Sequence, residues 1–329
     1  MYDVTALGEI LIDFTPCGDQ EGVPVYAQNP GGAPLNVLVQ NALLGGKTAF
    51  IGKVGRDGFG NALRKVMEEH EIDTRGLSVS DEVHTTLAFV QLDSDGERSF
   101  SFYRNPGADI LLNEEDIDEE LIKNSHIFHF GSLSATAEPS KSATRIALET
   151  AKRAGCIISY DPNYRPPLWK SEREAVETML QFMPYADILK VSGEEMELLT
   201  GTGDVEKGSR ILADYGITLV CVSEGAGGAC FRRGADFREV PGFAVHTVDT
   251  NGAGDSFFGA IHSRLRDKTL EDLKNMPADE LEEIIRFANA AGARTTMKKG
   301  AIPAMADGET IMKLAVTIHN QDKRWEDFT

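Results

Sequence analysis

The sequence predicts an α/β fold in which helices cover both faces of a mostly parallel sheet and a small second sheet forms a lid. Short apolar runs alternate with amphipathic stretches along most of the 329 residues. Two regions interrupt this alternation with strand-like pieces and turns, and two others are rich in glycine. In folds of this class, ligands bind at the carboxyl ends of the parallel strands, so the functional residues should lie there.

The main sheet is predicted from short apolar runs, which are typical of strands buried on both faces. These runs are Val4 to Leu7, Thr48 to Val54, Ile127 to Phe130, Cys156 to Tyr160, Ile188 to Val191 and Thr218 to Val222. Between them lie segments with apolar residues at helical spacing, namely Leu35 to Leu44, Asn61 to His70, Ala143 to Ala154, Val176 to Met183, Lys207 to Tyr215, Leu281 to Thr295 and Glu309 to Ile318. Because strands and helices take turns, the strands should be parallel.

Two regions depart from this alternation and predict the lid. Residues Thr86 to Leu92 and Arg98 to Tyr103 read as strands on either side of a polar turn that contains Gly96, as in a β-hairpin. A further extended piece near Val23 to Tyr26 lies earlier in the chain. We expect these pieces, within residues 14–30 and 84–106, to form a small sheet over the main domain.

Charge and composition exclude several function classes. The chain has 33 basic and 52 acidic side chains, and a net charge of -19 repels nucleic acid and anionic membrane surfaces. No basic and apolar leader follows Met1, and no apolar run approaches the about 18 residues of a membrane span. We therefore expect a cytoplasmic protein. The four cysteines form no CxxC pair, so neither a disulfide framework nor a zinc site is predicted.

The heptapeptide Asp249-Thr250-Asn251-Gly252-Ala253-Gly254-Asp255 lies between a predicted strand and a predicted helix. Residues 243–248 alternate with period two, which predicts the strand, and apolar residues at helical spacing after it predict a helix that begins near Ala253. The free N–H groups of that helix start would bind a phosphate, and Asp255 beside them would accept a proton. A glycine turn with an ordinary N-terminal acid is the alternative that this segment leaves open.

A second glycine-rich segment, Gly31-Gly32-Ala33-Pro34-Leu35-Asn36, precedes a predicted helix and then the run from Phe50 to Gly60. Bare backbone and an amide side chain at a helix start suit a ligand with several hydroxyls, although a loop with a helix cap would look the same. Other nucleotide motifs are missing. Gly46-Lys47-Thr48 lacks the first glycine of a P-loop, and Gly225-Ala226-Gly227-Gly228 lacks the GxGxxG spacing.

Taken together, the two glycine-rich segments resemble the signatures of the PfkB family of carbohydrate kinases, also called ribokinase-like. Gly31 to Gly60 is similar to the N-terminal signature and Asp249 to Asp255 to the C-terminal one, DTxGAGD. The resemblance covers nearly the whole chain and implies one kinase domain over residues 1–329, a ribokinase-like three-layer sandwich with a lid. Within the family, the bacterial-type fructokinases are the most similar, on residues 102–106, 161–169 and 288–293.

The resemblance implies ATP-dependent phosphorylation of a sugar hydroxyl, with D-fructose converted to D-fructose 6-phosphate. It implies that Asp255 is the catalytic base and that the anion hole is Gly252, Ala253 and Gly254. The residues implied to bind the sugar are Asp13, Gly31, Gly32 and Asn36, with Arg104 reaching in from the lid hairpin. Those implied on the phosphate and nucleotide side are Asp161, Lys190, Ser223, Gly225, Gly228 and Asn289.

The resemblance also implies metal ions, and the lid strands bear on assembly. Mg²⁺ would bind at Glu195 through water, with Glu194 as a rival because Ser192 stands where many relatives carry the asparagine of an NxxE motif. A K⁺ site near Asp249 is common in the family. Lid strands often pair with another chain to cover their edges, which favours a homodimer.

Two alternatives stay open at this point. The acceptor could be 2-keto-3-deoxygluconate or another sugar or nucleoside of this family, because Arg104 would also suit a carboxylate. A protein of another class, a catalytically silent sugar-binding regulator, could share the fold. Release of ADP with a panel of acceptors separates these functions.

Overall fold

The computed structural model describes residues 1–92 and 98–316, and within them the strands form two separate sheets. In chain order the strands are β1 (Tyr2–Leu7), β2 (Leu11–Gln20), β3 (Val23–Gly31), β4 (Thr48–Gly55), β5 (Asp73–Ser80), β6 (Thr86–Leu92), β7 (Arg98–Tyr103), β8 (Ser125–Gly131), β9 (Ile157–Asp161), β10 (Ile188–Ser192), β11 (Leu219–Ser223), β12 (Gly228–Arg233) and β13 (Asp236–Pro241).

Helices lie between most of these strands and after the last one. In chain order they are α1 (Ala33–Leu43), α2 (Gly58–Glu69), α3 (Glu119–Lys123), α4 (Ser140–Ala154), α5 (Glu172–Phe182), α6 (Gly193–Thr200), α7 (Val205–Ala213), α8 (Ala253–Leu265), α9 (Leu270–Asn275), α10 (Ala278–Thr296) and α11 (residues 308–316). The predicted helix from Glu309 to Ile318 corresponds to α11, and its last two residues lie outside the described part of the chain.

The main sheet has the strand order β13-β12-β11-β10-β9-β8-β1-β4-β5. Neighbours from β11 to β5 pair in parallel, whereas β12 and β13 are antiparallel additions at one edge. The predicted parallel sheet with helical crossovers is therefore confirmed. The sequence prediction did not include β5 or the β12–β13 hairpin. In the described part of the chain, no helix has the length and apolar character needed to cross a membrane.

Each face of the main sheet packs against its own layer of helices. Successive residues of a strand point to opposite faces, so Ile157 packs in the core shared with α1, α8 and α10, and Ile158 packs in the core shared with α4 and α5. A fully buried side chain of this size contributes about 1.5–3 kcal/mol to folding. The two cores explain why the buried strands are apolar throughout rather than alternating with polar residues.

The strand predicted over residues 243–248 is wrong, because this segment forms no strand pairing after β13 ends. Phe243 and Val245 nevertheless pack against the core, and the residues between them are more exposed, which produces the period-two pattern. The backbone N–H groups of Val248 and Asp249 instead donate to the carbonyl of Thr296, at the end of α10. The predicted helix start at Ala253 is confirmed by α8.

The second sheet has the order β3-β2-β6-β7 and corresponds to the predicted lid. β2 and β3 form one antiparallel pair, β6 and β7 form the predicted hairpin, and β2 joins β6 in parallel. The hairpin turn, residues 93–97, lies outside the described residues. Phe14 stacks on Phe89 with ring centroids 4.8 Å apart and meets Phe59 of α2 edge-on at 5.8 Å. These aromatic contacts join the second sheet to the main domain.

Candidate active site

The starts of α1 and α8 meet at one point, where their first turns are joined by a side-chain hydrogen bond. Asn36 Nδ2 of α1 donates to Asp255 Oδ2 of α8 at 2.8 Å. Gly32 precedes α1 with φ 110° and Gly252 precedes α8 with φ 74°, conformations that favour glycine. The sequence predicted both helix starts, and the fold brings their first turns together at the Asp255 carboxylate. The first N–H group of each helix already has a partner, since Ala33 donates to Glu9 Oε1 and Ala253 donates to the Thr250 carbonyl.

The carboxyl group of Asp255 is the centre of the charged groups in this site. Loss of hydration and the nearby Asp161 carboxylate raise the pKa of Asp255 to about 6, against the hydrogen bond from Asn36 and the charges of Lys190 and Arg165, which lower it. At neutral pH the carboxyl is therefore mostly ionised, with a proton affinity close to that of an effective general base.

Lys190 and Asp161 form a buried ion pair behind the start of α8. Lys190 Nζ donates to Asp161 Oδ2 at 2.9 Å, and their side chains are only 7% and 1% exposed. Burial alone would lower the pKa of Lys190, but the charges of Asp161 and Glu195 raise it, so the ammonium stays charged. A Cβ on Gly254 would lie 3.0 Å from Lys190 Nζ, so the missing side chain lets the ammonium approach the helix start. An ammonium beside helix N–H groups makes an anion site.

The predicted sugar-binding residues lie on the lid side of Asp255. Asp13 is within β2 and pairs with Asn29 of β3, and a Cβ on Gly31 would lie 2.2 Å from Asp13 Oδ2. Loss of hydration raises the pKa of Asp13 to about 6, with Arg165 lowering it and Asp255 raising it. The carboxyl groups of Asp13 and Asp255 are therefore close enough for their charges to repel each other. Asp13, Gly31, Gly32 and Asn36 thus lie on one side of the Asp255 carboxylate.

Arg104 lies at the base of the second sheet, just after β7, and is 4% exposed. Its Nε donates to Asp109 Oδ2 at 2.7 Å, and its two terminal nitrogens donate to the Thr136 hydroxyl and to the Leu133 carbonyl, each at 2.9 Å. Arg104 is thus a buried, fixed side chain rather than one that extends from the lid hairpin. Burial raises the pKa of Glu9, next to the start of α1, to about 7, and the charge of Arg104 acts against this rise.

The candidate metal residue Glu195 is buried at the start of α6, whereas Glu194 beside it is exposed. The two oxygens of Glu195 accept the backbone N–H groups of Tyr164 at 2.7 Å and Ser192 at 2.8 Å. Each carboxylate oxygen keeps a second lone pair. Within residues 1–92 and 98–316, no three metal-ligating side chains form a cluster.

The predicted nucleotide residues lie at the carboxyl ends of β10 and β11 and around β12. Ser223 ends β11 in register with Ser192 of β10, and a Cβ on Gly228 would lie 2.3 Å from the Val240 carbonyl. Gly225 takes φ 58° in the turn between β11 and β12. Asn289 donates through Nδ2 to the carbonyls of residues 240 and 241, at 2.9 and 3.1 Å, and so holds the end of β13.

Asp249 organises the loop in front of α8. Its Oδ1 accepts the N–H of Asn251 and its Oδ2 accepts the N–H of Gly300, both at 2.9 Å. The second bond joins the heptapeptide to the segment after α10, 51 residues further along the chain. This segment also packs on Gly252, because a Cβ there would lie 2.6 Å from Ala301 Cβ.

One charged residue of the site was not singled out in the sequence. Arg165 follows β9, and its charge lowers the pKa of both Asp13 and Asp255. Its Nη1 donates to the carbonyl of the neighbouring Tyr164, and within residues 1–92 and 98–316 this is the hydrogen bond found for its guanidinium. The signal available in the sequence was its position, since residues just after a parallel strand lie at the ligand edge of the sheet.

This geometry, an ionised carboxylate where two helix starts meet and a buried ammonium beside one of them, is suited to phosphoryl transfer to a polar acceptor. The family described as pfkB family carbohydrate kinase matches residues 1–307. The chain belongs to this family of carbohydrate kinases. It is 42% identical over 325 residues to the probable fructokinase-2 of Arabidopsis thaliana, and the match covers 96% of each chain.

Solved structures extend this family assignment to the fold. The structure of fructokinase with bound ATP from Xylella fastidiosa has a TM-score of 0.89 at 32% identity and covers 98% of this chain and 100% of its own. A fructokinase double mutant from Vibrio cholerae O395, in a form with fructose, ADP and potassium bound, has a TM-score of 0.86 at 34% identity and covers 95% and 97%. The predicted ribokinase-like fold and the predicted kinase class are confirmed.

Proposed function

We propose that this kinase transfers the γ-phosphoryl group of ATP to the 6-hydroxyl of D-fructose, giving D-fructose 6-phosphate and ADP. The observation that carries the proposal is the Asp255 carboxylate, held by Asn36 at the start of α8 with the Lys190 ammonium beside it. The 34% identity to a Vibrio cholerae fructokinase with fructose and ADP bound supports fructose as the acceptor.

Asp255 acts as the general base in this reaction. The sugar hydroxyl gives its proton to the Asp255 carboxylate as its oxygen attacks the γ-phosphorus, and the bond from phosphorus to the β,γ-bridging oxygen breaks to release ADP. Asp13, Gly31, Gly32 and Asn36 hold the other hydroxyls so that the attack is in line. A pKa of about 6 keeps Asp255 ionised at neutral pH without making it a poor proton acceptor.

The start of α8 acts as the anion hole. The backbone of Gly252, Ala253 and Gly254 faces the transferred group, and the Lys190 ammonium adds a full positive charge at the same place. Both features are fixed before the reaction, the first by the helix and the second by the ion pair with Asp161. Fixed charge of this kind stabilises the transition state without reorganisation.

Magnesium and nucleotide fit the edge of the sheet beyond Lys190. Glu195 and Asp161 both act on the pKa of Lys190, so the two carboxylates share one region, and they would hold Mg²⁺ through water. Bound Mg²⁺ neutralises charge on the ATP phosphates. Ser223, Gly225, Gly228 and Asn289 border the nucleotide, and K⁺ belongs to the loop that Asp249 organises. Arg104 holds the base of the lid and orients the sugar side of the cleft.

The lid also supports a proposal about assembly. In the described residues, β3 and β7 are the outer strands of the second sheet and have no further strand beside them. A second copy of the chain would cover these edges, so the proposed assembly is a homodimer joined through the lids. The proposed location of the enzyme is the cytoplasm. Sedimentation equilibrium should give twice the chain mass of 35.9 kDa, and a mass of one chain at working concentrations contradicts the dimer.

An acceptor panel tests the proposed function. ADP release is measured with fructose, 2-keto-3-deoxygluconate, ribose and a nucleoside, with Mg²⁺ present and with or without K⁺. Fructose should give the highest kcat/KM, and a higher value for the sugar acid rejects fructose in favour of that acceptor. Sugar binding by calorimetry without ADP release from any acceptor rejects catalysis and favours a regulatory binder.

A further inference from the structure

Helices α1 and α8 are in close contact below the active site, where Gly259 has no side chain to hold them apart. A Cβ on Gly259 of α8 would lie 2.6 Å from the Val37 carbonyl and 2.9 Å from the Gln40 Cβ of α1. The contact lies about one helical turn beyond Asn36 and Asp255. Two helix surfaces in such close contact can slide or rotate against each other unless a directional bond fixes their register.

One such bond is formed by Gln40 and Ser256, which are both 0% exposed, and Asn41 Nδ2 of α1 donates a further one to the carbonyl of Gly259 at 3.4 Å. Ser256 Oγ donates to Gln40 Oε1 at 2.8 Å, and Gln40 Nε2 donates to the carbonyl of Ala306 at 2.9 Å. Gln40 therefore uses both ends of its amide. It joins α1, the first turn of α8 and the segment that packs on Gly252.

The positions of these residues in their helices relate them directly to the site. Gln40 lies four residues after Asn36, so the two side chains share one face of α1. Ser256 follows Asp255 directly, so fixing Ser256 fixes the rotation of the first turn of α8 about its axis. Neither residue belongs to the base, the anion hole or the residues that hold the sugar.

We infer that Gln40 is a positioning residue for catalysis, which sets the Asn36–Asp255 contact by fixing α8 against α1 through Ser256. This inference rests on the proposed role of Asp255 as the base. An apolar contact at the same place would preserve packing but not register, because dispersion forces have little directional preference. A base displaced by a fraction of an ångström loses its alignment with the acceptor hydroxyl.

Gln40→Met and Ser256→Ala test the inference, with Ser263→Ala as the matched control. Ser263 is also a buried serine of α8, but its hydroxyl donates to the carbonyl of Ala260 within the same helix. We expect kcat to fall about tenfold or more in the first two variants, with the KM for ATP little changed. The double variant should fall no further than Gln40→Met, because Gln40→Met already removes the bond that Ser256→Ala removes. Ser263→Ala should match wild type.

The pKa of Asp255 gives a second readout that does not depend on the substrate. The hydrogen bond from Asn36 lowers this pKa, so its loss in Gln40→Met or Ser256→Ala should raise it. The other groups that act on Asp255 are Asp161 on β9, Lys190 on β10 and Arg165 after β9, and they are unchanged in both variants. Asp13 of β2 also faces Asp255 and is unchanged.

Titration of ¹³C-labelled aspartate carboxyl groups measures this pKa in the ligand-free enzyme, with the Asp255 signal assigned from Asp255→Asn. A pKa that rises in Gln40→Met and Ser256→Ala but not in Ser263→Ala supports the inference even if fructose proves to be the wrong acceptor. An unchanged Asp255 pKa, or additive losses in the double variant, overturns it. If Gln40→Met does not fold, Ser256→Ala and its control carry the same test.

Discussion

Replacing Lys190 with methionine separates its contribution to stability from its contribution to catalysis. The variant keeps the length of the side chain and removes its charge, which leaves the Asp161 carboxylate, 1% exposed, without its ion-pair partner. A charge left unpaired in the interior costs about 3–5 kcal/mol of the free energy of unfolding. The loss is large because water cannot reach the carboxylate to replace the ammonium.

Asp161→Asn in the same chain is the matched rescue. An amide at position 161 carries no charge, so the double variant should regain most of the lost stability. Its activity should not return, because the anion site beside Gly254 still lacks the ammonium. Urea unfolding followed by circular dichroism gives the free energies, and ADP release with fructose gives kcat.

The reasoning about Lys190 has a clear point of failure. If Lys190→Met unfolds within about 1 kcal/mol of wild type, the ion pair does not stabilise the fold as its burial implies. If the double variant regains activity along with stability, the ammonium has no direct part in phosphoryl transfer. Loss of activity in both variants with stability restored in the second is the expected result.

Three further predictions follow from the same site. Asp255→Asn should lower kcat by about 10² to 10⁴-fold without changing the circular dichroism spectrum, because it removes the base and keeps the shape; near-normal turnover would reject Asp255 as the base. Asp13→Asn should weaken fructose binding yet raise the free energy of unfolding at pH 7 by about 1–3 kcal/mol, because the folded protein holds Asp13 with a pKa of about 6. In the wild type, the folded state binds one more proton than the unfolded state between the unfolded pKa of Asp13 near 4 and its folded pKa near 6, so the stability of the wild type falls as pH rises through that window. The stability gained by Asp13→Asn should therefore nearly vanish at pH 4. An equal gain at pH 4 and pH 7 contradicts the role of the Asp13 charge. Gly259→Ala should lower the free energy of unfolding by about 1–3 kcal/mol and reduce kcat, because its Cβ would lie 2.6 Å from the Val37 carbonyl. Gly58→Ala is the control, since a Cβ there has no atom within 4 Å, and it should change neither quantity. Equal effects in the two variants would contradict the close-packing argument.

Local pattern was enough to locate the parallel strands other than β5, because a strand buried on both faces must be apolar whatever its neighbours are. The same reasoning failed at residues 243–248, where alternate side chains pack on the core without any strand pairing. A period of two in the sequence indicates that alternate side chains are buried. The segment is part of a sheet only if a neighbouring strand also pairs with its backbone. The β12–β13 hairpin at the sheet edge was not predicted. Its strands do pair, but their burial depends on contacts with β11 and α10, which a local pattern does not show.

The site shows the same division. Residue types at the two helix starts predicted an anion site with Asp255 beside it and a polar-ligand site formed by Asn36 and the glycines. The family resemblance implied that Arg104 reaches in from the lid hairpin, whereas the fold places it in a buried ion pair with Asp109. Arg165 lies in the segment 161–169, and the sequence predicted no role for it. The fold places its charge close enough to Asp13 to lower the pKa of that carboxyl group against the rise caused by burial.

The sequence by itself determined where most parallel strands and most helices lie, the two glycine-rich helix starts and the acid at position 255, because these depend on residues within a few positions of one another. Only the tertiary structure decided which of them meet. Asn36 and Asp255 are 219 residues apart, and Gln40 and Ser256 are 216 apart. Contacts at such distances depend on strand order and on how closely two helices approach, which are set by packing across the whole core rather than by any local pattern.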